Sequence, residues 1–147
     1  EKFCLFFCFI TRRKFDKIIV HHSASPQDTT VAQIRDWHVN GNGWSDIGYH
    51  YIILADGTLE RGRNINRTGA HCKNKNKGSI GICLTGNTSN EPPTMQQIES
   101  LKGTLGMLIE DYLLTRQDVY GHRDFGATEC PGDFLYAYLQ QYRQGLC

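Results

Sequence analysis

Residues 47–60 read IGYHYIILADGTLE: a β-branched and aromatic run, a tight turn at Ala55-Asp56-Gly57, and a short return from Thr58 to Glu60. This is the pattern of a hairpin. It decides the fold, because a hairpin makes the sheet that contains it at least partly antiparallel. Two further runs have strand character. Phe15 to Ser23 (FDKIIVHHS) begins with β-branched residues suited to a buried strand, and in Ser79 to Thr85 (SIGICLT) Ile80, Ile82 and Leu84 alternate with Ser79, Gly81 and Cys83. Alternation puts the large residues on one face and the small ones on the other. The small face leaves room for something to approach the sheet closely.

Helical signals separate these strands. Thr30 and Gln33 have capping-box spacing, followed by Val31, Ile34 and Trp37 at helical period through about Asn40, where GNG ends the helix. Thr94 and Gln97 repeat the box ahead of a long apolar stripe that includes Met95, Ile98, Leu101, Leu105 and Leu108. Val119 and Tyr120 make a short strand leading into GHRD, and Asp133 is placed to cap a last helix with Leu135 and Leu139. The expected architecture is α/β, a single domain with a central mixed β-sheet flanked by helices. Its span is 15–147, with 1–14 an N-terminal tail or short strand.

Composition agrees with one globular domain: 147 residues, 39% hydrophobic, 21% charged, net charge +1. A chain of this length buries roughly 70% of its unfolded surface, enough for a core without crosslinks. Near-neutral charge argues against a dedicated nucleic-acid binder. The sum hides an asymmetry, since Arg61, Arg63, Arg67, Lys73, Lys75 and Lys77 fall in a loop with no acid, whereas the stretch from 91 to 133 is acidic. Such a loop is either a solvated surface or a docking surface for an anionic ligand. The apolar run Phe3 to Ile10 (FCLFFCFI) is far shorter than the roughly 20 residues of a spanning helix, so no transmembrane span is expected. TRRK follows it where a signal peptide would place small residues, which favours a strand or docked tail over an export remnant.

Three side chains stand out as metal ligands: His21 at a strand end, His122 in GHRD, and Cys130 before Pro131. Two imidazoles and a thiolate suit zinc, and three protein ligands leave a position open for chemistry. No HExxH or CxxC supports them, however, and spacing alone does not assemble a site. His21 and His22 point to opposite faces of their strand, so only one of them can face a given site. Cys72 beside His71 is an alternative donor pair. A cysteine hydrolase using Cys83 or Cys130 with a histidine is compatible with the residue types but has no local signature.

Taken together, IIVHHSAS, RDWHVNGNGWSDIGYHYIILADGTLERGR, GAHCKNKNKGSIGICLTGN and YGHRDFGATECPGDF resemble the zinc-dependent N-acetylmuramoyl-L-alanine amidases. The likeness is to the type shared by phage lysozyme-like amidases and peptidoglycan recognition proteins, and it extends over residues 15–142. It implies one zinc ion bound by His21, His122 and Cys130. It also implies Tyr49 as the catalytic tyrosine and Thr128 as the residue acting on the oxyanion. Relatives that recycle muropeptides in the cytoplasm carry glutamate at the position of Cys83 and lack the tyrosine, so a glutamate-base mechanism is not implied. His71 falls in the loop that lines the family's peptide groove. With Arg63 and Asn76 it is a candidate substrate contact, and the basic loop would attract stem-peptide carboxylates. The implied partner is peptidoglycan or a muropeptide, met by a monomer at the cell wall on its periplasmic or extracellular side. Phage, bacterial and host-defence origins all stay open, and the competing reading is a recognition module that binds muropeptide without cutting it.

Overall fold

The computed structural model describes residues 13–147; the Phe3 to Ile10 run and nearly all of the expected 1–14 tail lie outside the described residues. Five strands form one sheet in the order β3-β2-β4-β1-β5. They are β1 (Lys17–His22), β2 (Tyr51–Ile53), β3 (Leu59–Arg61), β4 (Ser79–Leu84) and β5 (Val119–Gly121). The β2–β3 pair is the antiparallel hairpin read from 47–60, while β1 runs parallel to both β4 and β5, and β2 runs parallel to β4. Three α-helices complete the fold: α1 (Val31–Asp36), α2 (Met95–Tyr112) and α3 (Asp133–Arg143).

The alternation in β4 sorts its side chains as the sequence predicts, and β1 is buried on both faces as its β-branched run leads one to expect. Ile18, Val20, Ile80, Ile82 and Leu84 join Leu101, Leu105 and Leu108 of α2 and Leu135 and Leu139 of α3 in the main core. The opposite face carries Ile19 and His21 from β1 and Ser79, Gly81 and Cys83 from β4. A smaller cluster of Ile34, Ile47 and Ile52 covers its β2 side. One face is thus filled with hydrocarbon, and the other is left with small and polar groups under the loops.

Two local readings need correction. The run from Ile47 does not enter the ladder until Tyr51: Ala70 N donates to Gly48 O at 3.0 Å and Arg63 N to Tyr49 O at 2.8 Å, both from loops, while His50 N already reaches Gly81 O of β4 at 2.9 Å. Asp133 does not cap α3 but is its first residue, and the N-cap is Gly132 at φ 90°, where any side chain would collide with Thr88. The first helix also ends early. After Asp36 the chain widens into a π turn (Trp37–Gly41), with Asn42 N bonding back to Trp37 O at 3.0 Å. Trp37, expected on the buried stripe, opens this turn and is 44% exposed.

Candidate metal centre

His21 is the fifth residue of β1 and projects from the face without core packing, level with Cys83 of β4. His122 follows β5 directly and opens a single 3-10 turn through Asp124. Asp124 holds that turn, accepting from Gly121 N at 2.9 Å and from the Tyr136 hydroxyl at 2.6 Å. The same loop returns to the site at Cys130, whose carbonyl accepts from Arg123 N at 2.9 Å. Strand and loop together bring the two imidazoles and the thiol into one cluster, with one ligand atom from each lying within 4.8 Å of the others.

The donor set fits zinc. Cys130 Sγ lies 3.6 Å from His21 Nδ1. A tetrahedral ion with sulfur at about 2.3 Å and nitrogen at about 2.0–2.1 Å requires these two atoms to be about 3.5 Å apart. Burial lowers His21 well below the ordinary imidazole value, helped by the neighbouring His71 and His122, and burial lowers His122 as well. Both rings are therefore neutral and offer lone pairs. Burial pushes the Cys130 thiol up to about 12, so the sulfur needs a nearby cation to become a thiolate.

Tyr49 flanks the cluster, its ring centroid 5.2 Å from that of His21. Burial raises its phenol well above the usual value, and the thiols of Cys83 and Cys130 add to the effect. It is a hydrogen-bond donor at neutral pH, not a base. On the other side Thr128 is exposed and its Oγ1 accepts from Cys130 N at 3.2 Å, which leaves the hydroxyl proton available to a ligand. Glu129 is exposed beside it.

A groove of about 440 Å³ opens next to Tyr49 and is lined by His38, Trp44, Lys73 and Asn76 among others. Trp44 packs against His38 with centroids 4.8 Å apart and ring planes inclined at 51°, and is 36% exposed. Sequence reasoning did not single out Trp44; the signal available was a tryptophan just beyond the helix-breaking GNG. The expected substrate contacts make bonds within the protein. Arg63 is buried, with Nε on Ile47 O at 2.9 Å, Nη1 on Thr68 O at 2.8 Å and Nη2 on Asp46 O at 3.1 Å. Asn76 lines the groove, and its Oδ1 accepts from the backbone N–H groups of His71 and Cys72 at 2.8 and 2.9 Å. His71 is buried, with its Nδ1 2.9 Å from His21 Nε2 and its Nε2 3.2 Å from Ser79 Oγ. Lys73, Lys75 and Lys77 supply positive charge along the same loop, and the Lys75 ammonium lies 5.6 Å from the centre of the Phe125 ring, near His122.

Residues 11–133 match the family described as N-acetylmuramoyl-L-alanine amidase. Peptidoglycan-recognition protein SC2 of Drosophila melanogaster is 39% identical over 127 residues, covering 78% of this chain and 66% of that protein. The endolysin of Escherichia phage T7 is 38% identical over 133 residues, covering 84% of each. Among solved structures, the N-acetylmuramoyl-L-alanine amidase LysC of Clostridium intestinale superposes with a TM-score of 0.80 at 34% identity, covering 92% of this chain and 90% of that one.

Proposed function

Because the chain belongs to the N-acetylmuramoyl-L-alanine amidase family, we propose that its domain from residue 15 to 147 hydrolyses the amide joining the lactyl group of N-acetylmuramic acid to L-alanine in peptidoglycan. The observation that carries this reading is the cluster of His21, His122 and Cys130 flanked by the hydroxyls of Tyr49 and Thr128. Zinc held by those three ligands would polarise the scissile carbonyl and make water acidic enough to act as the nucleophile.

The remaining work falls to side chains. As the carbonyl carbon becomes tetrahedral, negative charge collects on its oxygen. The protonated Tyr49 phenol and the Thr128 hydroxyl are both able to donate to it. Each donor of this kind is worth about 3 kcal/mol of barrier in a site shielded from water. Breaking the C–N bond leaves the L-alanine amine, which must gain a proton originating from water. The half-buried groove lined by Trp44, Lys73 and Asn76 would hold the stem peptide, its carboxylates drawn by the lysines of the loop. All five side chains of the site come from one chain, in keeping with a monomer. No helix among the described residues is long and apolar enough to cross a membrane, and we place the enzyme's action at the cell wall.

The test is digestion of purified peptidoglycan with mass analysis of what is released. Intact stem peptides with a free L-alanine amine are expected. New reducing sugar ends, or binding without release, would replace this reading with a glycosidase or with a recognition module. Chelation and Cys130→Ala should each abolish release.

A further inference from the structure

The small-residue face of β4 is occupied by the His71 ring. A Cβ built on Gly81 would stand 2.6 Å from two carbons of that ring, so only glycine admits it. The seat is assembled within a few residues of sequence. Asn76 pins the loop backbone at His71 and Cys72, Gly81 opens the floor, and Ser79 meets the ring edge.

The proton positions in this seat follow from its acceptors. Ser79 Oγ lies 3.0 Å from Asn76 O, a carbonyl that can only accept, and 3.2 Å from His71 Nε2, so its one proton goes to one or the other. With that proton on Asn76 O, the serine oxygen accepts from His71, whose ring proton is then on Nε2. A neutral His71 has a bare Nδ1, and that atom accepts from His21 Nε2–H across 2.9 Å. With its proton held on Nε2, His21 presents a bare Nδ1, the atom 3.6 Å from Cys130 Sγ.

We propose that His71, set by Ser79, is a positioning residue that fixes His21 in the one tautomer able to bind a metal beside Cys130. This gives the buried loop histidine, which also borders the groove beside Tyr49, a role at the metal. It rests on the zinc site of the proposed function but requires no turnover to test. Partners of this kind are typically worth about 10- to 100-fold in metal affinity.

Zinc affinity is measured without substrate, by competition with a chromophoric chelator, in wild type, His71→Ala, His71→Asn and Ser79→Ala. His71→Ala should weaken binding about 10- to 100-fold. His71→Asn should recover most of the loss, because its Oδ1 can accept from His21 Nε2–H, and Ser79→Ala should fall between. Gly81→Ala should mimic His71→Ala by displacing the ring. In the metal-free wild type, nitrogen NMR of the imidazoles should find the His21 proton on Nε2. Equal zinc affinity in wild type, His71→Ala and Ser79→Ala would overturn the assignment, above all if KM for muropeptide rose instead. A wild-type His21 proton on Nδ1 would overturn it too. If His71→Ala does not fold, the asparagine and serine variants decide. A wild-type protein that binds zinc and releases no stem peptide would count against the amidase reading alone, since affinity and tautomer are read without hydrolysis.

Discussion

A phenol whose pKa is raised stays protonated, and this limits what Tyr49 can do in the site. It can stabilise charge building on the substrate, but it cannot take a proton from water unless something else first lowers its pKa. Tyr49→Phe keeps the ring against His21 and removes only the hydroxyl. Its kcat should fall by about 10²- to 10³-fold with zinc content and KM little changed; a matching loss of zinc would instead make Tyr49 structural. Arg63 carries the opposite lesson. Arg63→Met leaves three backbone carbonyls without their donor and should cost about 3 kcal/mol by urea denaturation, with only a small direct effect on substrate affinity. Nothing in the sequence separates an arginine that meets carboxylates from one that meets carbonyls. Both lie in a basic loop, and only the path of the backbone around residues 46, 47 and 68 distinguishes them. The candidate metal-binding residues His21, His122 and Cys130 were legible through their ordered motifs, whereas their proximity was not, because His21 and His122 come from distant parts of the chain.

At the scale of elements, helix starts were the most readable feature, since a capping box is local chemistry. Both boxes form: Gln33 N and Gln97 N donate to the hydroxyls of Thr30 and Thr94 at 3.2 and 3.0 Å. What the box at Thr94 concealed is that Gln97 also ties α2 to the sheet. Its buried amide donates to Ile53 O at 3.2 Å and Thr85 O at 2.9 Å, where β2 and β4 end. Gln97→Leu matches the volume but removes the side-chain donor of Thr85 O and leaves Ile53 O with the N–H of Thr85, so it should lower stability by about 1–2 kcal/mol. Gln97→Glu should be worse at neutral pH, because a carboxylate cannot donate. If denaturation midpoints were unchanged in both, the link between helix and sheet would carry no weight. The strand boundary at Ile47 and the π turn after Asp36 were less legible. The strand boundary is met by distant partners, Arg63 and Ala70, whereas the turn is closed locally, with Trp44 N donating to His38 O at 3.0 Å.

The whole molecule is built around buried neutral imidazoles, and this sets its response to acid. Burial lowers His50, offset by its bond to Arg67 O and deepened by Arg63; burial and then Arg63 lower His38. Below the unfolded value of about 6.5 the unfolded chain takes up protons that the folded chain refuses. The stability tied to these groups is complete above that value and is lost as pH falls toward each folded pKa. Metal-free protein should lose up to about 1.4 kcal/mol per pH unit for each such group. Urea midpoints that stayed flat between about pH 7 and pH 5 would contradict this account. The overall layering was readable because alternation in β4 is strict; the asymmetry between its large-residue face and its small-residue face follows from the same residues. The π turn has one more consequence, and it is optical. The chain has two tryptophans, Trp37 within that turn and Trp44 just beyond it on the rim of the groove. Indole emission from this protein therefore comes entirely from the segment between Trp37 and Trp44, whose second indole lines the groove. Fluorescence will register a ligand entering beside Trp44 or a proton arriving on His38, while melting of the distant helical core must be followed by circular dichroism.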